Sequence, residues 1–386
     1  MPFEFATASR IIFGSGTQDQ IGALAKGFGE RALLVTGTNL SRVRSIVDSL
    51  ADSGVVTATF RVDSEPTIEM ARAGVQAARD HEAQVIIGVG GGAALDTGKA
   101  VAALLTNPGD PLDYLEVIGR GKKLSIPSAP YIAIPTTAGT GAEVTMNAVL
   151  ASAEQRVKVS LRSPSMLPRI ALIDPQLAVG LPAPITARTG MDALTQLIEP
   201  YVSNKANPIT DAIALEGLRH GAPALRPAVE GAETGSEDLA AREAMALASL
   251  CGGLALANAK LGAVHGFAAP IGGMFDAPHG AICAVLLPPV IRVNLRALRE
   301  REPAHPAVAR YETVARIVTG SGNAEALVAW AEDMVSAFRI PPLSTYGITS
   351  EDISDIVEKA AAASSMQGNP IRLTEAELTE ILQAAL

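Results

Sequence analysis

The sequence has few histidines, cysteines and aromatic residues for its length. Its 386 residues include five histidines, two cysteines and 4% Phe, Trp and Tyr. Cys251 and Cys283 both lie in apolar sequence and form no CxxC pair, so no disulfide framework can be argued and a reducing compartment is indicated. Because histidines are so few, any two that lie close together in sequence stand out.

The chain also lacks an excess of basic residues, a leader pattern and a membrane-length apolar run. Its 31 Lys and Arg against 40 Asp and Glu give a net charge of −9, which is unsuited to nucleic acid or an anionic membrane. The first ten residues show no basic segment followed by an apolar one. The longest weakly polar run, Ala244–Ala259, is shorter than the roughly 20 residues of a membrane span. We expect a cytoplasmic protein without nucleic-acid or membrane partners.

What is present is apolar sequence in two different patterns, which predicts two domains, residues 1–180 and 181–386. In the first, β-branched apolar runs alternate with helical stretches, which is typical of an α/β domain with a parallel sheet covered on both faces. The predicted strands are Ala32–Thr36, Val55–Val62, Gln84–Val89 and Tyr131–Ile134, and the predicted helices are Ser41–Asp52, Thr67–Arg79 and Leu95–Leu105.

The Pro- and Gly-rich segment Asp174–Pro184 marks the predicted boundary between the domains. Beyond it the β-branched runs fade and helical patterns dominate, which predicts an all-α C-terminal domain. The clearest helical stretches there are Asp211–Leu218, Ser236–Ala257, Ala324–Phe338 and Ser350–Ala362.

Two polar loops follow predicted strands of the first domain. Gly90, Gly91 and Gly92 separate a buried strand from a helix, where free amides and the helix dipole favour a diphosphate. A second loop places Thr136, Thr137 and Thr140 after the next strand, and loops at the carboxyl ends of parallel strands converge on one crevice. The pattern favours a nucleotide site, although tight turns without a ligand, an acidic helix start at Asp96 and a solvated Lys99 explain the same residues.

A candidate metal site combines a helix with two histidines. Asp192 and Gln196 are four residues apart and share a helix face, and His265 and His279 lie in an apolar, Gly-rich stretch. A carboxylate and two imidazoles with an open position are typical of a catalytic divalent cation. The same pattern is compatible with core histidines that are hydrogen-bonded to backbone. It is also compatible with a solvated helix face that carries Asp192, Gln196 and Glu199.

These motifs together resemble the iron-containing (group III) alcohol dehydrogenases. The resemblance extends in order from about residue 10 to beyond residue 340. The segments that carry it are Phe13–Gly16, Val35–Leu40, Gly90–Lys99, Pro135–Thr145, Ser163–Pro175, Thr186–Ser203, Val264–Gly280 and Leu286–Val290.

The resemblance implies a Rossmann-like NAD(P)-binding domain, a helical metal and substrate domain, and a cleft between them in which hydride passes between a nicotinamide and a small alcohol, aldehyde or ketone. It also implies a homodimer. By position, Gly90, Gly91 and Gly92 would hold the cofactor diphosphate, with Asp96 lining the same site. Asp192, His265 and His279 match three metal ligands. Further cofactor contacts by position are Thr136, Thr137, Thr140 and Lys158.

This chain departs from the family at several of those positions. Gln196 stands where a fourth ligand is usually histidine, and a neutral amide is a poor ligand for Fe or Zn. Ala269 replaces a histidine that assists proton transfer, so the proton donor is not identified, and Pro289 replaces another histidine. Gly37 stands where NADH-preferring members often carry Asp, which predicts that NADPH is accepted and favours a preference for it, with Arg42 or Arg44 near its phosphate.

The sequence therefore predicts an NAD(P)-dependent alcohol dehydrogenase or reductase with a divalent metal, Fe or Zn. One alternative is a metal-independent reductase resembling maleylacetate reductases, which the imperfect ligand set favours. A second is a nucleotide-binding homologue that has lost catalysis, with Gln196 and Ala269 as the altered positions.

Overall fold

A computed structural model describes residues 2–386 and divides into two compact units. The sheet unit comprises Ala6–Thr137 and Gly141–Val179. The helical unit comprises residues 2–5, Ala138–Thr140 and Gly180–Leu386.

The sheet unit is built on a parallel six-stranded sheet with the order β1-β8-β5-β4-β2-β3. A separate antiparallel hairpin, formed by β6 and β7, lies between β5 and β8 in chain order. The strands are β1 Ile11–Phe13, β2 Arg31–Thr36, β3 Val56–Arg61, β4 Val85–Gly90, β5 Tyr131–Pro135, β6 Asn147–Ser152, β7 Val157–Arg162 and β8 Ile170–Ile173. The prediction of a parallel α/β sheet from continuous apolar runs is confirmed.

Both faces of this sheet are covered, which explains why its central strands β4 and β5 are buried at every position and β2 at every position after Arg31. Leu33 and Val35 of β2 belong to one apolar cluster, and Ala32 and Leu34 belong to another on the opposite face. Helices α3 and α4 join the first cluster, and α1 and α2 join the second. The helices of this unit are α1 Ile21–Lys26, α2 Arg44–Asp52, α3 Ile68–Asp80, α4 Gly92–Thr106 and the single turn α5 Pro111–Tyr114.

The hairpin and the two short strands β1 and β8 were not predicted. β6 and β7 alternate buried and partly exposed residues instead of forming continuous apolar runs. β1 and β8 are three and four residues long, too short for periodicity to distinguish them from loops.

The helical unit contains the helices α6–α14, which confirms the expected change from α/β to helical structure. Their bounds are α6 Ala183–Val202, α7 Pro208–Thr234, α8 Leu239–Asn258, α9 Ala263–Met274, α10 His279–Arg301, α11 Ala307–Thr319, α12 Ala324–Ala337, α13 Ile353–Ala362 and α14 Glu375–Ala385. One apolar cluster runs through all of them.

Helix α7 is much longer than the predicted Asp211–Leu218. It continues through Pro223 and Pro227, residues that ordinarily end or kink a helix. Its apolar residues Leu218, Leu225 and Val229 are buried in the common core, and this packing holds the helix together past its prolines.

Two helices of this unit, α8 and α10, are long and apolar enough to cross a membrane by length and composition alone. Of the apolar windows in α8 and α10, 61% and 89% of the residues are buried inside the fold. Burial of this extent is typical of core helices in a soluble fold.

Candidate functional site

The glycine loop lies where the sheet unit offers unpaired backbone amides. β4 ends at Gly90, and α4 begins at Gly92 with Gly91 as its N-cap and no side chain capping it. The first amides of a helix have no intrahelical acceptor and carry the positive end of the dipole. The loop can therefore receive an anionic group such as a phosphate.

Gly37 and the glycine loop lie side by side at a topological switch point. β2 pairs with β3 on one side and β4 on the other, and the helices that follow β2 and β4 cover opposite faces of the sheet. A side-chain carbon on Gly90 would lie 3.8 Å from the Gly37 amide nitrogen. Ligands of open α/β sheets bind in the crevice that forms at such a point.

The threonine loop joins the same edge of the sheet. β5 pairs with β4, and the Thr136 amide donates to the Gly90 carbonyl at 2.9 Å. A side-chain carbon on Gly91 would lie 3.4 Å from the Thr137 hydroxyl, which is ordinary contact. The structure thus brings Gly37, the glycine loop, Thr136 and Thr137 together, whereas Thr140 is grouped with the helical unit.

Asp96 and Lys99, one turn apart on α4, are both held by contacts within the sheet unit. The Asp96 carboxylate accepts from the Val149 amide at 3.0 Å and lies 3.2 Å from the Lys99 ammonium. Lys99 is fully buried and donates to the Thr145 hydroxyl at 2.7 Å, so the alternative of a solvated lysine is wrong.

Lys158 lies on β7, and its ammonium pairs with Glu65 at 2.9 Å. Only 11% of its side chain is exposed, while Glu65 is largely exposed. The structure therefore places Lys158 on the hairpin in an ion pair with Glu65.

Glu143, which the sequence did not single out, is buried beside Lys99. Burial raises the pKa of Glu143 to about 7, and its backbone amide and the Lys99 charge offset only part of this effect. Since the unfolded carboxyl titrates near its ordinary value, the folded state binds more protons between about pH 4.5 and 7. Stability should fall as the pH rises through that window.

Replacing Glu143 with Gln should therefore remove a pH-dependent penalty. The free energy of unfolding is measured with urea at pH 5 and at pH 8. Between these two pH values, that of Glu143→Gln should rise by about 2 kcal/mol relative to that of the wild type, because the amide never ionises. Glu154→Gln, at an exposed turn residue, is the matched control and should show no such change. If the free energies of unfolding of wild type and Glu143→Gln differ by the same amount at both pH values, the raised pKa of Glu143 is refuted.

The second group of candidate residues lies entirely within the helical unit. Helix α6 carries Asp192, Gln196 and Glu199, which are 2%, 3% and 4% exposed. These positions lie one and two turns apart along the helix, so they share one side of it. Because all three are buried, the alternative of a solvated helix face is wrong.

Helices α9 and α10 bring both histidines to Asp192. His265 lies in the first turn of α9 and His279 is the first residue of α10. Asp192 Oδ1 lies 3.3 Å from His265 Nε2 and 3.7 Å from His279 Nε2. Residues that are distant in sequence thus present one carboxylate oxygen and two ring nitrogens to the same point.

Two buried side-chain oxygens here have no hydrogen-bond partner among the described residues. They are Asp192 Oδ1 and Gln196 Oε1. A buried polar atom without a partner costs about 1 to 3 kcal/mol, more when it is charged. A cation coordinated between the imidazoles and Asp192 would satisfy the carboxylate oxygen, so the donor set fits a divalent metal.

Glu199 holds His265 in the orientation that a metal ligand needs. Its Oε2 lies 2.7 Å from His265 Nδ1, and its Oε1 accepts from the Val264 amide at 2.7 Å. A carboxylate on one ring nitrogen fixes the tautomer and leaves the other nitrogen, here Nε2, to a metal. The i, i+7 spacing from Asp192 is the signal that could have identified Glu199.

Cys283 is a fourth donor that the sequence analysis missed. It lies on α10 one turn after His279, and its Sγ is 3.8 Å from His265 Nε2 and 3.7 Å from His279 Nε2. The ligand atoms of Asp192, His265, His279 and Cys283 all lie within 4.8 Å of one another. The helical i, i+4 spacing from His279 was the available signal.

The electrostatics of this cluster favour a positive charge at its centre. Burial opposes protonation of His279, but the Cys283 and Asp192 side chains outweigh it and raise the pKa of His279 to about 9. Burial also opposes protonation of His265, yet the same neighbours and Glu199 raise the pKa of His265 well above its usual value. Surroundings that attract a proton to both imidazoles equally suit a metal cation in its place.

Ala269 lies on α9 one turn after His265 and is exposed. Its methyl group can neither give nor take a proton. The helical unit therefore presents no titratable side chain at this position.

Comparison with known proteins identifies relatives over the whole chain. The family model described as "Iron-containing alcohol dehydrogenase" matches residues 8–175, and that described as "Fe-containing alcohol dehydrogenase family, C-terminal" matches residues 186–386. The 1,3-propanediol dehydrogenase of Citrobacter freundii is 36% identical over 99% of this chain and 98% of its own length.

Two further comparisons agree with this similarity. The NAD-dependent methanol dehydrogenase of Bacillus methanolicus is 33% identical over 97% of both chains. The crystal structure of a 1,3-propanediol oxidoreductase superposes with a TM-score of 0.91 at 35% identity and covers 100% of both chains. Sequence and fold therefore lead to the same group of enzymes.

Proposed function

The chain belongs to the iron-containing alcohol dehydrogenase family, and we propose that it interconverts a small alcohol and its aldehyde or ketone by metal-assisted hydride exchange with NAD(P). Membership makes it an oxidoreductase enzyme of the alcohol dehydrogenase and reductase type. The observation that carries the metal-assisted route is the buried Asp192 Oδ1, which faces two histidine nitrogens and has no hydrogen-bond partner among the described residues.

In the helical unit, Asp192, His265 and His279 would hold the divalent cation, with Glu199 orienting His265. A bound Fe or Zn ion would act as a Lewis acid on the substrate oxygen, where negative charge develops as hydride reaches carbon. Gln196 lies one turn from Asp192, and its unpaired amide oxygen is available as a weak further donor. Apolar burial around these side chains strengthens each electrostatic contact.

In the sheet unit, the amides at Gly91, Gly92 and the start of α4 bind the cofactor diphosphate. Thr136 and Thr137 border the same crevice, and Thr140 and Lys158 are proposed as further cofactor contacts. Gly37 leaves room for a 2′-phosphate, so NADPH is proposed as the preferred cofactor. Of the two nearby arginines, Arg42 donates to the Leu177 carbonyl at 2.7 Å, while Arg44 begins α2 and is exposed.

The proposed substrate is a small alcohol or its carbonyl counterpart. The similar proteins named above act on 1,3-propanediol and methanol. Because Ala269 is exposed and carries no proton, we propose that water delivers the proton that a histidine would otherwise supply.

Removal of the metal separates this proposal from its two alternatives. Treatment with a strong chelator is expected to lower NADPH-linked reduction of small aldehydes at least about 100-fold, and added Zn²⁺ or Fe²⁺ should restore it. Activity that survives full metal removal would instead indicate a metal-independent reductase. A metal-loaded protein that binds NADPH without turning over any aldehyde or ketone would indicate an inactive homologue.

We also propose that the enzyme is a cytoplasmic homodimer, as the family resemblance implies. Light scattering coupled to size-exclusion chromatography should give twice the chain mass of 39.8 kDa. A mass of one chain at micromolar concentration would contradict the dimer.

A further inference from the structure

The fourth donor of the metal cluster is a cysteine on a helix, and its sulfur points at ring nitrogens. Cys283 is fully buried, and its Sγ lies 3.7 Å from His279 Nε2 and 3.8 Å from His265 Nε2. A buried cysteine that only fills core space needs no polar neighbours. Cys251 on α8 shows that alternative, since it is buried and lies outside this cluster.

We propose that Cys283 Sγ is a direct ligand of the metal, which it binds together with Asp192, His265 and His279. This inference rests on the proposed metal-assisted function and identifies the residue that fills the place of the missing histidine. Cys283 takes that place instead of Gln196, because a thiolate is a far stronger metal donor than a neutral amide oxygen.

The spacing of the donor atoms supports this ligand set. Around a tetrahedral Zn²⁺ with ordinary bond lengths, oxygen and nitrogen donors lie about 3.3 Å apart, and sulfur and nitrogen donors about 3.6 Å apart. The observed separations are 3.3 and 3.7 Å from Asp192 Oδ1 to the two nitrogens, and 3.8 and 3.7 Å from Cys283 Sγ to the same nitrogens. Small movements of these four side chains would therefore bring their donor atoms to the spacing of a tetrahedral coordination sphere.

A second observation is independent of the cysteine. Asp192 Oδ1 is buried, has no hydrogen-bond partner among the described residues and faces the same two nitrogens, so a cation at the centre of the cluster would satisfy it. Glu199 on His265 Nδ1 turns the other nitrogen of that ring toward this centre. Cys283 contributes the remaining donor, since its Sγ lies within 4.8 Å of the other three ligand atoms.

Sulfur ligation changes which metal the protein prefers. When Cys283 binds, its thiol gives up its proton to solvent and the thiolate donates an electron pair to the cation, with no change in oxidation state. A thiolate favours Zn²⁺ over Fe²⁺, beyond the order that nitrogen and oxygen donors already set. With Asp192, His265, His279 and Cys283 as its protein donors, the cation would supply Lewis-acid chemistry to the substrate oxygen.

Cobalt substitution tests the sulfur–metal bond directly. The full-length protein is stripped with a chelator and loaded with Co²⁺ alone, and its absorption spectrum is recorded beside its metal content. A thiolate ligand gives a charge-transfer band in the near ultraviolet that nitrogen and oxygen ligands do not give. The variants are Cys283→Ala and Cys283→Ser, with Cys251→Ala as the matched buried-cysteine control.

We expect one Co²⁺ per chain and the charge-transfer band in wild type and Cys251→Ala, and no band in either Cys283 variant. Cobalt affinity should fall about 100-fold in Cys283→Ala. In a competition between Zn²⁺ and Fe²⁺, the preference for zinc should be about tenfold smaller in Cys283→Ser than in wild type. This variant differs from wild type by one atom, so it replaces Cys283→Ala if the alanine variant does not fold.

The possible failures are distinguishable. Stoichiometric Co²⁺ binding without the band in wild type would overturn ligation by Cys283 and leave the proposed metal-assisted function standing. A band that persists in both Cys283 variants would overturn it equally. If wild type binds no Co²⁺, Zn²⁺ or Fe²⁺ at all, the proposed function itself fails, and this inference fails with it.

Discussion

Replacing Asp192 with Ala is expected to remove the bound cation and lower turnover about a thousandfold. The carboxylate supplies the anionic oxygen among the donors, and its Oδ1 has no other partner among the described residues. Lewis-acid stabilisation of the developing charge is worth several kcal/mol, and about 4 kcal/mol corresponds to three orders of magnitude in rate. The measurement is NADPH-linked turnover beside metal content per chain.

Two companion variants isolate the cause of that loss. Asp192→Asn keeps the shape of the side chain and removes its charge, so it should lose most of the metal while retaining the fold. Asp333→Ala removes an exposed carboxylate that pairs with Arg226, and it should keep both metal and activity. Asp192→Ala that retains wild-type turnover without metal would exclude the metal-assisted mechanism.

Replacing Gly37 with Asp is expected to reverse the proposed preference for NADPH. A side-chain carbon at Gly37 would meet no atom within 4 Å, so Asp fits without disturbing the fold. Its carboxylate would repel the 2′-phosphate, and like charges a few ångströms apart near a surface cost about 3 kcal/mol. The ratio of kcat/KM for NADPH to that for NADH should fall about 100-fold.

The neutral variant Gly37→Asn controls for side-chain volume and should change that ratio much less. Arg44 is exposed at the start of α2, where it can reach the 2′-phosphate. If it does so, Arg44→Ala should weaken the binding of NADPH but not the binding of NADH. A wild-type enzyme that strongly prefers NADH would contradict the proposal at once.

The sheet could be predicted from sequence because its strands are buried on both faces. Leu33 and Ala32 are neighbours in β2 that pack against opposite helix layers, so the run Ala32–Val35 is apolar without interruption and stands out. The hairpin β6–β7 has no such run, and α7 continues through Pro223 because of contacts distant in sequence. Local patterns contain neither effect.

The candidate metal site was predictable only in part. Asp192, His265 and His279 stood out by residue type, and the family resemblance aligned them. Cys283 looked like one more small apolar residue in an apolar helix, although it follows His279 by one turn. Only the crossing of α6, α9 and α10 places its sulfur beside both nitrogens, and a sequence cannot supply that packing.

A metal titration tests most directly whether a cation held in the helical unit is required for hydride exchange. Metal-free protein is loaded stepwise with Zn²⁺, and NADPH-linked aldehyde reduction is measured at each step. Activity should rise in proportion to bound zinc and stop rising at one ion per chain. Full activity before any metal is added, or activity that does not follow occupancy, would contradict that requirement.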